Sequence, residues 1–167
     1  MSEELFNLRS QLSFYKYYHS DRINVLIHSI FVPIILFSGC AILHHIKLYK
    51  AVTLTHLMSV LYGSFYCLLY LPTGLLASSL LLMINLCLDK NWVQISITES
   101  LGLFALGWVV QFIGHGFFEH KKPAVLDNLV QSLVLAPYFI LFEFLFKLGF
   151  FETLNKQLED DIDKMRA

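Results

Sequence analysis

The stretch RINVLIHSIFVPIILFSGCAILHHI, residues 22–46, contains no acidic residue and one Arg, at its start. From Ile23 to about Ile46 it reads as a single apolar run, and about 20 residues rising about 1.5 Å each suffice to cross a bilayer core. Pro33 is expected to kink this helix. Tyr15, Tyr17 and Tyr18 stand just ahead of it, where amphipathic rings settle at the headgroup level.

Four further apolar runs follow. One covers roughly 51–71, and Pro72-Thr73-Gly74 is expected to make a tight turn before the next, Leu75 to Leu88. That third run is the shortest and is expected to thin the bilayer or cross it incompletely. A fourth runs from Glu99 to about Phe118, and a fifth from about Leu129 to Phe151, interrupted by Pro137. The tail from Glu152 is charged, but Leu154, Leu158, Ile162 and Met165 recur at helical spacing. This predicts an interfacial or solvated amphipathic helix.

Composition agrees with a lipid solvent. Of 167 residues, 56% are hydrophobic and only 15% charged, where a soluble domain carries about a quarter charged residues. The expected fold is therefore all-α: a polytopic membrane helix bundle of about five spans with a C-terminal amphipathic helix, forming one integral membrane domain over residues 1–167. A net charge of −1 argues against nucleic acid as a partner and leaves membrane lipids as the surroundings. Met1-Ser2-Glu3-Glu4 is acidic where a secretory signal is positive, so membrane entry is expected to use the internal spans. Cys40, Cys67 and Cys87 all lie in apolar runs without metal-type spacing and read as small core residues. Three basic residues ahead of the first span, Arg9, Lys16 and Arg22, favour a cytoplasmic N-terminus.

With five spans, the entrance of the first and the exit of the fourth share one membrane face, and both carry polar residues. Asn24 and His28 are four apart, and Gln111, His115 and Glu119 repeat that spacing, so each set lies on one helix face. His19 and His28, nine apart, would diverge on one continuous helix; a shared site requires a break near Ser20-Asp21, either of which suits an N-cap. Imidazole and carboxylate without thiolate select iron, manganese or zinc, and two His with one carboxylate is the pattern of non-haem Fe(II) oxygenases. His19, His28, His115 and Glu119 could supply it. The same residues also suit hydrogen bonding across helices, although ionisable groups at a span centre cost about 2.5–3.5 kcal/mol and usually serve function. His44-His45 and His56 fall at the opposite face and read as interfacial residues. There is no G-x-S-x-G, H-E-x-x-H or phosphate-binding glycine loop, and seven histidines cannot fill the His-rich boxes of a di-iron membrane hydroxylase.

Two segments resemble the signature of the 2-hydroxy fatty acid dioxygenase family known from fungal phytosphingosine degradation in the endoplasmic reticulum. The first is Tyr18-His19, then Asn24-Val25-Leu26-Ile27-His28 and Pro33. The second is Gly114-His115-Gly116-Phe117-Phe118-Glu119, then Lys122-Pro123-Ala124, Asp127-Asn128-Leu129-Val130-Gln131-Ser132-Leu133 and Ala136-Pro137. The resemblance implies an endoplasmic-reticulum membrane enzyme that uses Fe(II) and O2 to shorten a 2-hydroxy fatty acid by one carbon. It makes His19, His28 and His115 the metal-ligand candidates. Glu119, Asn24, Asp127 and Asn128 match signature positions, as ligands or as residues that orient them. His120 departs from the family's usual Lys or Arg and receives no ligand role. The hydroxy acid itself can supply the electrons, so 2-oxoglutarate is not required. Two other readings stand beside this one: a membrane scaffold or lipid-binding protein, and a zinc hydrolase.

Overall fold

The computed structural model describes residues 6–119 and 129–166. Every regular element in these stretches is helical except one short hairpin. Helix α1 spans Leu8–Tyr18 and α2 spans Arg22–His44; strands β1 (Lys47–Tyr49) and β2 (Val52–Thr53) follow, then α3 (Leu54–Leu69), α4 (Leu71–Asp89) and α5 (Ile97–Gly114). A π-helical turn, His115–Glu119, continues α5; α6 (Leu129–Lys147) and α7 (Glu152–Arg166) complete the order. The protein is thus an all-α, membrane-type helical protein.

The five apolar runs all become helices, but not five equal spans. Arg22–His44, Leu71–Asp89 and Ile97–Glu119 are long and apolar enough to cross a membrane. Helix α3 has 16 residues, which at about 1.5 Å each falls short of a core about 30 Å thick. The fifth run is bent by 118° against the helix that follows it, so among the described residues three helices, or four counting the bent pair, meet the requirement. The short run is therefore the second, not the third. The reason lies at Pro72, which begins α4 instead of turning the chain: it sits in the first turn, where its missing N–H costs no hydrogen bond. The reversal falls one step earlier, at extended Tyr70 (φ −163°, ψ 112°).

The chain forms two compact units, Pro33–Val109 and the remainder, Met1–Val32 with Val110–Ala167, the divisions falling inside α2 and α5. In the Pro33–Val109 unit, α3 and α4 make a close antiparallel hairpin. A Cβ on Gly74 would stand 2.5 Å from the backbone of Cys67, so only glycine permits this approach. Asn85 fastens the pair by donating to Ser59 Oγ at 2.8 Å. Ser96 and Glu99 form a capping box at the start of α5: Ser96 Oγ accepts from the Glu99 N–H at 3.2 Å, and Glu99 accepts from the Ser96 N–H at 2.8 Å.

In the other unit, α1 is capped by Asn7, whose side chain accepts from the Ser10 N–H at 3.1 Å. From sequence, Tyr15, Tyr17 and Tyr18 of this stretch are expected at the headgroup level. The helix packs against α7, whose stripe residues Leu158 and Ile162 are buried. Arg9 donates twice to Asp161, at 2.7 Å each, Ser13 Oγ donates to the same carboxylate, and Lys16 donates to Asn155 at 2.7 Å. The amphipathic tail is accordingly a protein-packed clasp on α1.

Candidate metal centre

The break expected at Ser20-Asp21 is present and creates the site. Helix α1 ends at Tyr18, and Asp21 restarts the chain as an N-cap: its Oδ1 accepts from the Ile23 and Asn24 N–H groups at 2.8 and 3.0 Å. His19 therefore lies in the corner between two helices, His28 two turns into α2, and His115 at the start of the π turn. Such turns recur at functional sites.

The three imidazoles converge. Ring centroids lie 4.4 Å apart for His19 and His28, 4.8 Å for His19 and His115, and 4.9 Å for His28 and His115. One nitrogen from each lies within 4.8 Å of the other two, and all three residues are buried. His19 Nδ1 lies 2.8 Å from the Tyr15 carbonyl, and His28 Nδ1 lies 2.9 Å from that of Asn24. A carbonyl only accepts, so each Nδ1 carries the proton and each Nε2 bears a lone pair. This is the habitual arrangement of a metal-binding histidine. His115 Nδ1 is buried with no hydrogen-bond partner among the described residues. Tyr15 stacks on the His19 ring at 4.1 Å and 4°, and Phe139 packs on Tyr15 at 4.4 Å, which fixes the ring plane. The donor set suits a divalent transition metal held by neutral imidazoles.

Around the triad the other sequence candidates separate. Asn24, fully buried, donates through Nδ2 to Glu119 Oε2 at 3.2 Å. Its Oδ1 consequently faces Gly114, where a Cβ would come within 2.5 Å of it. Glu119 is buried and also accepts from the Ser20 and Asp21 N–H groups at 3.1 and 2.9 Å and from Ser20 Oγ through a short hydrogen bond. These backbone partners were invisible to side-chain pattern. Gln111 is buried beside the same helix face as His115. Asp127, Asn128 and His120 lie outside the described residues.

His44 and His56 form a different structure. Thr53 donates its N–H to His56 Nδ1 at 3.1 Å, which leaves His56 Nε2 to donate to Asp89 at 3.1 Å. Both ring nitrogens are engaged, so His56 has no lone pair for a metal. His44 Nε2 lies 3.9 Å from the same carboxylate. This set caps the start of α3.

Membrane-length helices together with a buried, thiolate-free triad of histidines define a polytopic membrane protein equipped to hold a metal ion. The family model described as 2-hydroxy-palmitic acid dioxygenase Mpo1-like matches residues 5–148, and the chain belongs to this Mpo1-like family. The 2-hydroxy-palmitic acid dioxygenase MPO1 of Saccharomyces cerevisiae (strain ATCC 204508 / S288c) is 61% identical over 163 residues, covering 98% of this chain and 94% of that protein. No solved structure matches.

Proposed function

We propose that this protein is an Fe(II)-dependent dioxygenase of the endoplasmic reticulum membrane that cleaves 2-hydroxy fatty acids to acids one carbon shorter, residues 1–167 acting as one domain. The observation that carries the reading is the buried convergence of His19, His28 and His115, with the Nδ1 atoms of the first two bonded to backbone carbonyls. It is supported by the activity named for the yeast relative.

His19, His28 and His115 would hold the iron, which when bound supplies open positions for substrate and O2 and a route for electrons between them. The reaction balances without another reductant: a 2-hydroxy acid and O2 give the shortened acid, CO2 and water, the four electrons leaving the two carbons of the cleaved bond. Tyr15 and Phe139 exclude water from one side of His19, and the backbone carbonyls of Tyr15 and Asn24 keep the Nδ1 protons in place. Asn24 and Glu119 are the proposed polar residues beside the histidines, and Asp127 and Asn128 are proposed to serve the same reaction because they match positions of the family signature. Exposed Ile23, Leu26 and Ile30 offer the acyl chain apolar surface at lipid level, and Arg22 or Lys122 would attract its carboxylate.

The test is iron content of the purified protein in detergent, followed by turnover of 2-hydroxy-palmitic acid with and without oxygen. Iron near one per chain and strictly O2-dependent loss of one carbon are expected. Turnover that persists anaerobically would point to a hydrolase, and metal-free protein to a scaffold.

A further inference from the structure

We infer that Glu119 is a positioning residue, a carboxylate staple that sets the distance between His19 and His28, and not a metal ligand. This rests on the iron reading above. Its two oxygens take hydrogen bonds from the Ser20 N–H, the Ser20 hydroxyl, the Asp21 N–H and the Asn24 amide. A carboxylate has about four lone-pair directions, and these donors use them. Coordination would require giving up buried, charge-assisted hydrogen bonds, which are stronger than neutral ones.

The placement of the partners gives the staple its role. Ser20 follows His19 directly, and Asn24 supplies the carbonyl that accepts from His28 Nδ1. Glu119 shares its helix face with His115, four residues earlier in the π turn. One carboxylate therefore ties the corner that carries His19 and the helix that carries His28 to the segment that carries His115. Its negative charge also sits against the Ser20 and Asp21 amides just ahead of α2, and a helix start favours an anion.

Cobalt(II) is the probe, because its visible absorption reports the donor set. Glu119→Gln keeps one accepting oxygen but turns an NH2 group toward donors; Ser20→Ala removes only the hydroxyl and leaves the fold least disturbed. Both should weaken Co(II) binding, Glu119→Gln by about 10–100-fold, the range for residues that orient metal ligands. The double variant should be no weaker than Glu119→Gln, since both changes act through one bond set. At saturating Co(II) all three spectra should match that of the natural protein. A spectrum altered at saturation by Glu119→Gln would make it a ligand, and strictly additive losses would break its link to Ser20; either result overturns the staple while leaving the iron reading intact. Natural protein that takes up neither Co(II) nor Fe(II) overturns both.

Discussion

His19 and His28 stand nine residues apart in the chain, yet their rings meet edge to face with centroids 4.4 Å apart. An unbroken helix would separate residues nine apart by about 13.5 Å along its axis. The chain closes that distance by ending one helix at Tyr18 and starting another at Arg22. The Asp21 cap is thus as much part of the site as the imidazoles. Asp21→Ala should cost about 0.5–2 kcal/mol of stability and reduce iron retention, while Asn restores both. Thermal unfolding and iron content of the purified variants check this.

The proposed ligand set includes His115 and leaves out His120. His115→Ala should abolish iron retention and turnover, whereas His120→Lys should keep most of both. His115 belongs to the buried histidine triad, and His120 departs from the family's usual Lys or Arg at that position. Metal analysis and an aerobic assay of the two variants decide the matter, and loss of iron in His120→Lys with retention in His115→Ala would reverse the assignment.

The α1–α7 clasp has a predictable pH dependence. Hydrogen bonds from Arg9 hold the Asp161 carboxyl below its ordinary value of 3.8. A depressed carboxylate pKa stabilises the fold above the unfolded-state value and loses that contribution as pH falls through the folded-state value. Asp161→Asn should therefore lower the melting midpoint by a constant amount from pH 8 to about pH 5 and converge with the natural protein in stronger acid. Paired thermal melts across that range give the measurement; a gap that widens in acid would contradict the clasp.

Close packing of α3 on α4 sets a sharp contrast between two glycines. Gly74→Ala places a methyl 2.5 Å from the Cys67 backbone, whereas Gly102→Ala meets nothing within 4 Å. The first should destabilise by at least about 1–3 kcal/mol. The second should be neutral or stabilising, since alanine favours a helix interior by roughly 1 kcal/mol. Melting midpoints in one detergent compare them.

Much of the centre's geometry was legible because its candidate residues obey helical spacing. Asn24 with His28 and His115 with Glu119 mark two faces by i,i+4 alone, and the need for a break between His19 and His28 followed from their nine-residue separation. What escaped depended on backbone and on distant packing. The partners of Glu119 include two main-chain amides, which have no residue signature. Helix α1 is polar on average and finds its apolar partner more than a hundred residues later in α7. Pro72 was read as a turn because proline breaks helices, when it more often opens them, and the β1–β2 pair is too short to leave a period of two in the sequence.

The protons on His19 and His28 are held by main-chain carbonyls, those of Tyr15 and Asn24. In many metalloproteins that duty falls to a carboxylate side chain, which one codon change can erase. Here no point substitution removes the accepting atom, and only a displacement of the chain itself can. The tautomer of these two rings is therefore insulated from mutation at positions 15 and 24, whatever such changes do to packing, and drift in the surrounding side chains can alter substrate fit while the basicity of the two donors stays constant.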